Sequence, residues 1–155
     1  MRKFIRRSFL AGLVLFILIQ FVPYSAAEIE ARGEIQAPPE VQAILHRACY
    51  DCHSAAPRIP WYGRVAPVSW LVAHDIEEGR EHLNFSDWSL MSAKDQAEAR
   101  EEIIEEVEEG EMPLAIYLKM HDEAKLDRDD LATLRAWAGM TGHAGEHEEG
   151  ERDGD

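Results

Sequence analysis

The stretch "RACYDCHSA", residues 47–55, contains both cysteines of the chain, and a histidine directly follows the second cysteine. Cys49 and Cys52 are three positions apart, which is about one turn if the stretch is helical. Three kinds of site use such a pair: a dithiol/disulfide couple, half of a zinc site, or a haem attached through thioether bonds. The residues on either side of this stretch decide between the three.

The apolar periodicity around the pair is helical and predicts an all-α fold. The face that leads into the motif starts behind Pro38 and Pro39 and consists of Val41, Ile44, Leu45, Ala48 and Cys52. Further helices are predicted from about Val68 to Leu83, from Ser92 to Gly110, after Pro113, and from Asp127 to Gly139. No stretch alternates as a strand. We therefore expect the cysteines and His53 at the C-terminal end of an amphipathic helix.

This helical setting argues against the first two kinds of site. A thioredoxin-type pair is expected near a βαβ unit, with its first cysteine at the start of a helix. A zinc site needs four ligands, and the second pair with suitable spacing, His143 and His147, lies far downstream in an acidic tail. C-x-x-C-H is the signature of c-type haem. Each thiol can add to one vinyl group, and His53 can then bind the iron.

The second axial ligand of such a haem is predicted to be Met112, in the stretch "EEGEMPLAIY". Gly110 ends the preceding helix, and Pro113 favours an extended backbone at Met112, so this segment can cross the open haem face. Methionine opposite histidine raises the reduction potential of haem iron. The alternatives are that Met112 only fills the core, that the iron has an open sixth position, or that the ligand is Met120, His121 or His74.

Aromatic and basic side chains that could contact the haem follow the motif: Trp61, Tyr62, Trp70, Arg58 and Arg64. The aromatic rings are placed to wall the porphyrin, and the arginines could pair with its propionates. Trp88 and Trp137 are expected to pack between helices. The run "EAREEIIEEVEEGE" is expected to be a solvated helix face, with a docking surface for a basic redox partner as the alternative.

The beginning of the chain has the layout of an export signal. Basic residues precede an apolar run at 9–22, and small residues follow at 25–27. Cleavage after Ala27 would release a periplasmic protein, whereas an uncleaved segment would anchor it in the inner membrane with the domain facing the periplasm. The net charge of −14 excludes nucleic acid as a natural partner and is more compatible with a basic protein.

The predicted organisation has four parts: a signal or anchor at 1–27, a polar linker at 28–39, a haem-binding domain at 40–140, and a disordered acidic tail at 141–155.

Several segments resemble those of small exported bacterial haem-binding domain proteins related to the class I cytochromes c: "CYDCHS", "PWYG", "APVSWLVAHDIEEGREHLNFSDW", "GEMPLAIYLKMH", "LRAWAG" and the N-terminal "LIQFVPY". The resemblance implies a cytochrome c-like helical domain around one covalent haem. Cys49 and Cys52 would be the thioether partners, His53 the proximal ligand and Met112 the distal ligand. One departure is that the family commonly has Asn and Thr where this chain has residues 55–59, "AAPRI".

The function that these features favour is one-electron transfer by an exported monohaem c-type cytochrome, a carrier rather than an enzyme. A haem-based redox or gas sensor and a small haem peroxidase are the alternatives, and both need an open or displaceable sixth position. No distal His/Arg pair at a recognisable spacing favours the peroxidase.

Overall fold

The computed structural model describes residues 1–22 and 24–140, and within them it is all-α without strands, as predicted. The tail predicted for 141–155 lies outside the described residues. The helices are α1 (Arg2–Ile19), α2 (Pro39–Ala48), α3 (Tyr50–His53), α4 (Val68–His82), α5 (Ala93–Glu109) and α6 (Arg128–Ala138). Short 3-10 turns connect them at Trp61–Arg64, Phe85–Leu90, Tyr117–Lys119 and Asp122–Ala124.

The core lies where α2, α5 and α6 meet the turn Phe85–Leu90. Its buried members are Ile35, Val41, Ile44, Leu45, Phe85, Trp88, Ala99, Ile103, Ile104 and Leu134. The predicted apolar face of α2 is confirmed, because Val41, Ile44, Leu45 and Ala48 are all buried. The acidic run on α5 is a solvated face, since Ala99, Ile103 and Ile104 are its buried residues.

The cysteine motif does not continue α2, which differs from the prediction. α2 ends at Ala48, and Cys49 leaves the helical region with φ −124° and ψ −37°. The carbonyl of Cys49 then accepts the backbone N–H groups of Cys52 and His53, at 3.1 and 3.0 Å. The motif therefore forms its own single turn, α3, and Cys52 faces α4 instead of extending the apolar face of α2.

The predicted ends of α5 and α6 are confirmed by their caps. The Ser92 side chain accepts the N–H of Asp95, and Asp127 forms a capping box with Asp130. Gly110 and Gly139 follow the two helices with φ of +79° and +81°, a region that glycine adopts without strain. The helix predicted after Pro113 is replaced by the 3-10 turns Tyr117–Lys119 and Asp122–Ala124.

The N-terminal helix α1 has no buried residue. Its aromatic and aliphatic side chains are exposed along its length, among them Phe4, Phe9 and Phe16. Among the residues that the structure describes, no helix has the length and apolarity needed to cross a membrane.

The chain just after α1 is bound to the domain at several points. The amide of Gln20 donates to the Ala66 carbonyl and accepts the Ala66 N–H, both at 3.0 Å. The indole N–H of Trp70 donates to the carbonyl of Val22 at 3.3 Å. Further along, Tyr24 donates to Glu77 at 2.7 Å, and Arg80 donates to the carbonyl of Ala27 at 2.7 Å.

The segment predicted as a linker, residues 28–39, is not a free tether in the structure. The N–H groups of Arg32 and Gly33 donate to the Ser86 carbonyl at 2.9 Å, and the N–H of Ile35 donates to the Phe85 carbonyl at 2.9 Å. Ile35 is only 2% exposed and belongs to the core. The segment between residues 32 and 35 is therefore part of the domain.

Replacement of Ile35 tests this extended boundary. We expect Ile35→Ala to lower the free energy of unfolding by about 2–5 kcal/mol, because it removes a buried aliphatic side chain and leaves a cavity. The matched control is Ile29→Ala in the same segment, where the side chain is 36% exposed and the loss should be about 0.5 kcal/mol. Urea unfolding of the haem-loaded protein, followed by circular dichroism, measures both. Equal small losses would mean that the segment is a tether.

Candidate functional site

His53 is oriented by a hydrogen bond from its own ring. Its Nδ1 lies 3.0 Å from the carbonyl oxygen of Leu83, and since a carbonyl can only accept, Nδ1 carries the proton. Nε2 of the neutral ring then keeps a free lone pair, which is the arrangement of a metal-binding imidazole. Burial lowers the pKa of His53, so the ring is neutral at neutral pH.

Gly79 lets α4 approach the motif closely. A Cβ atom at this buried position would lie 3.3 Å from the Cβ and the carbonyl oxygen of Cys52, and 3.4 Å from Cε1 of His53. These neighbours are backbone and a fixed ring, so they have little room to move. Sequence reasoning missed this residue, although an isolated glycine within a predicted helix is a known sign of close packing.

The two cysteines are free thiols of low acidity. No disulfide joins Cys49 and Cys52, and burial raises the pKa of Cys49 to about 12 and that of Cys52 to about 11. Both are therefore protonated at neutral pH, unlike the low-pKa cysteine of a redox couple or the thiolates of a zinc site. The described residues contain no cluster of three or more metal-ligating side chains, and His143 and His147 lie outside them.

A cleft opens beside Cys52. α4 contributes Val72 and Ile76 to its wall, and the loop after the motif contributes Ile59 and Tyr62. A larger cleft of about 530 Å³ shares Ile59, Val72 and Ile76 with it and runs under residues 24–29. The larger cleft is lined by none of the predicted haem residues. The cleft beside Cys52 is about 40 Å³ and is lined by Cys52 and Tyr62 but not by His53.

Met112 lies on a short segment that returns towards this cleft. After Gly110, the N–H groups of Glu111 and Met112 both donate to the carbonyl of Glu106 at 3.0 Å, which fixes the direction of the chain. Met112 is half-buried. It does not itself line the cleft, but Leu114, two residues further on, does. The structure thus places Leu114, two residues after Met112, beside Cys52, and Met112 itself remains a predicted ligand.

The other candidate axial ligands have different partners. Nδ1 of His121 donates to Glu123 at 3.1 Å, and its Nε2 accepts the hydroxyl of Tyr62 at 2.7 Å, so both ring nitrogens are engaged. His74 is exposed on α4, 3.7 Å from Glu78. Met120 is 59% exposed.

Asp51, between the two cysteines, connects the motif to the segment after Met112. Its carboxylate accepts hydrogen bonds from Nε–H of Arg58 at 3.0 Å and from the hydroxyl of Tyr117 at 2.8 Å. Burial, together with this hydrogen bond, raises the pKa of Tyr117. Arg58, predicted to meet a propionate, is therefore paired with Asp51. The role of Tyr117 was not predicted, because nothing local indicates its partner.

The predicted aromatic and basic contacts fall into two groups. Tyr62 lines the cleft. Trp61, Arg64 and Trp70 do not line it. Trp61 is 75% exposed, with its ring edge-on to that of Tyr62 and the ring centroids 5.9 Å apart. Arg64 is exposed, and the indole N–H of Trp70 is bonded to the carbonyl of Val22. Trp88 and Trp137 pack between helices as predicted, with the guanidinium of Arg100 over both rings.

Comparison with known proteins gives one match. A family model described as a haem-binding domain matches residues 14–140. No curated protein and no solved structure matches the chain. The matched span contains α2 to α6 and begins within α1, so the segment after α1 lies inside it.

Gly79→Val tests whether the close approach of α4 holds the motif. The added side chain would push against Cys52 and His53, so we expect a loss of about 1–3 kcal/mol in stability together with a lower yield of haem-loaded protein. Glu78→Val is the matched control, because it places the same side chain at an exposed position of the same helix. Haem content per chain and urea unfolding measure the two variants. If they behave alike, the packing at position 79 does not matter.

Proposed function

The chain belongs to the haem-binding domain family and binds haem; we propose that it holds this haem covalently, through Cys49 and Cys52, with His53 as one axial ligand. The observation that carries the proposal is the hydrogen bond from Nδ1 of His53 to the Leu83 carbonyl. It leaves Nε2 available for iron, on the residue that directly follows the second thiol.

The donor set of the motif fits a haem c. Both thiols are unpaired and protonated at neutral pH, because burial raises the pKa of each. Each thiol would add across one vinyl group, with the sulfur bonding to one vinyl carbon and the hydrogen going to the other. The missing side chain at Gly79 lets α4 pack directly against the turn and the imidazole without a clash. These features support covalent attachment over a thiolate–metal site.

Mass spectrometry tests the attachment directly. Protein produced with a cytochrome c maturation system should keep the mass of one haem after denaturation and extraction with acidic organic solvent. The variant with both Cys49→Ala and Cys52→Ala should release any haem under the same extraction, because no sulfur remains to bond the vinyl carbons. A wild-type protein that releases its haem would contradict the covalent proposal while leaving haem binding intact.

We propose one-electron transfer as the activity, with Met112 as the second axial ligand. A bound haem supplies a ferric/ferrous couple, and a thioether ligand favours the ferrous state. The turn after Gly110 sets the direction of the Met112 segment, and Tyr117, held by Asp51, secures its far end. With the sixth position filled, no site is left for a substrate on the iron, which favours a carrier over a peroxidase or a gas sensor.

Met112→Ala tests this assignment. The variant should lose the weak near-infrared sulfur-to-iron band of the oxidised protein and have a lower reduction potential, because a soft ligand is replaced by water or an imidazole. Haem content should not change, since the thioether bonds and His53 remain. Met120→Ala is the matched control and should keep both the band and the potential, since Met120 is exposed.

If Met120→Ala loses the band and lowers the potential while Met112→Ala keeps both, the second axial ligand is Met120. A wild-type protein that is high-spin and binds carbon monoxide rapidly would replace the carrier proposal by sensing or catalysis.

We also propose that the domain is exported to the periplasm and that the N-terminal segment is retained. Cleavage after Ala27 would remove the partners of Ala66, Trp70, Glu77 and Arg80. The family match also begins before this point. The intact mass of protein from the native membrane fraction tests the proposal, and a chain beginning at residue 28 would contradict it.

Exposed glutamates on α5 would suit a basic redox partner, and salt would weaken the encounter between the two proteins.

A further inference from the structure

The domain has an exposed apolar patch just after the motif loop. Trp61 is 75% exposed, Val65 36%, Val68 42% and Leu71 45%. We call these four residues the Trp61 patch. Between residues 61 and 73 the sequence contains one charged side chain, the basic Arg64, in a chain whose net charge is −14. An apolar surface with an exposed tryptophan and no acidic side chain in its segment is unusual on so acidic a protein and marks an interaction site.

The Trp61 patch adjoins the end of α1. The patch residues lie between positions 61 and 71. In this segment the backbone of Ala66 forms two hydrogen bonds with the side chain of Gln20, and the indole N–H of Trp70 donates to the carbonyl of Val22. Phe21 and Val22 are themselves 77% and 55% exposed. The apolar surface of α1 therefore continues through these residues towards the domain without an intervening charged side chain at positions 8–22.

We propose that the Trp61 patch rests on the lipid bilayer that binds the N-terminal segment. This inference rests on the retention of that segment proposed above. Lipid around Phe21 and Val22 necessarily lies beside the patch, because Gln20 and Val22 are bonded to its segment. Tryptophan is enriched at the membrane–water interface, and a basic side chain such as Arg64 is compatible with anionic headgroups.

The charge of the other elements supports this orientation over a protein partner at the same place. The exposed glutamates are concentrated on α5, which packs on α6, whereas the patch lies on the turn Trp61–Arg64, on Val65 and on the beginning of α4. α4 has acidic side chains of its own at Asp75, Glu77, Glu78 and Glu81, which follow the patch residues Val68 and Leu71 along the helix, so the segment without acidic side chains is limited to residues 61–73. Tyr62, next to Trp61, lines the cleft beside Cys52, so contact of the patch with lipid also sets this cleft close to the membrane.

The accessibility of an introduced thiol tests the proposal in the full-length, haem-loaded protein. The chain has two cysteines, both in thioether bonds once haem is attached, so Val68→Cys supplies a single free thiol within the patch. Ala97→Cys supplies the matched control on the exposed face of α5. Each variant is placed in nanodiscs of phosphatidylethanolamine and phosphatidylglycerol and treated with a charged maleimide. Each rate is normalised to that of the same variant unfolded in urea.

We expect the normalised rate at position 68 to be about tenfold or more below that at position 97. Lipid raises the pKa of a thiol, and one unit lowers the reactive thiolate about tenfold. Adding Trp61→Glu should bring the rate at position 68 up towards that at position 97, whereas Trp61→Tyr should leave it low. Both substitutions replace an exposed side chain, and the haem spectrum shows that the domain remains folded.

The outcomes separate this inference from the proposals on which it depends. Equal rates at positions 68 and 97, in protein that co-elutes with the nanodiscs and has an unchanged haem spectrum, would overturn the patch assignment alone. Protein that does not associate with the nanodiscs would overturn the retained membrane-binding segment and the patch together. In neither case would the assignment of haem attachment to Cys49 and Cys52 change.

Discussion

The hydrogen bond between His53 and the Leu83 carbonyl sets the positions of most other parts of the site. The last carbonyls of a helix have no partner within the helix and carry partial negative charge. α4 ends at His82, so Leu83 offers such a carbonyl, and its own N–H is already bonded to Gly79 at 2.9 Å. A donated Nδ1 proton makes the opposite nitrogen a better ligand. α4 must therefore end at this residue and must approach α3 closely, which requires glycine at position 79.

A single buried serine ties the remaining segments to this arrangement. Ser86 is completely buried, donates to Glu34 at 2.5 Å and accepts the N–H of Ala55, two residues after the motif, at 3.0 Å. Its carbonyl also accepts the N–H groups of Arg32 and Gly33. Buried polar groups of this kind are costly unless fully bonded. Ser86 thus makes the N-terminal segment and the chain after the motif depend on one another.

What could be predicted from the sequence was the part encoded by local chemistry. The helices, their caps at Ser92, Asp127, Gly110 and Gly139, and the apolar face of α2 follow from spacing and capping preferences within a few residues. In these respects the structure agrees with the sequence. The haem motif was also recognisable locally, because both cysteines and His53 lie within five consecutive positions, and the roles predicted for them remain predictions.

The differences arise where long-range contacts decide. The break in the helix at Cys49 turns α3 towards α4, and no helix-ending residue near Cys49 predicts this break. Residues 28–39 read as a linker because they are mostly polar, whereas the structure binds residues 32–35 through backbone groups, which sequence patterns do not reveal. Trp70 is predicted to contact the haem, and the sequence does not indicate that its indole N–H has a backbone partner at Val22, 48 positions away. The sequence around a tryptophan does not show which residues its ring contacts or which group its indole N–H bonds.

Charge is unevenly distributed over the elements of the domain: α5 carries seven exposed glutamates, whereas residues 61–73 contain one charged side chain, Arg64. An acidic domain is repelled by an anionic membrane surface, and this repulsion acts over about 10 Å at 0.1 M salt. On a flexible tether the domain would therefore stay away from the surface. The paired hydrogen bonds of Gln20 with Ala66 oppose that freedom, so the segment around Ala66, which has no acidic side chain, stays beside α1. The Trp61 patch and the glutamates of α5 thus belong to different elements, as the proposed lipid contact and the proposed basic partner both require.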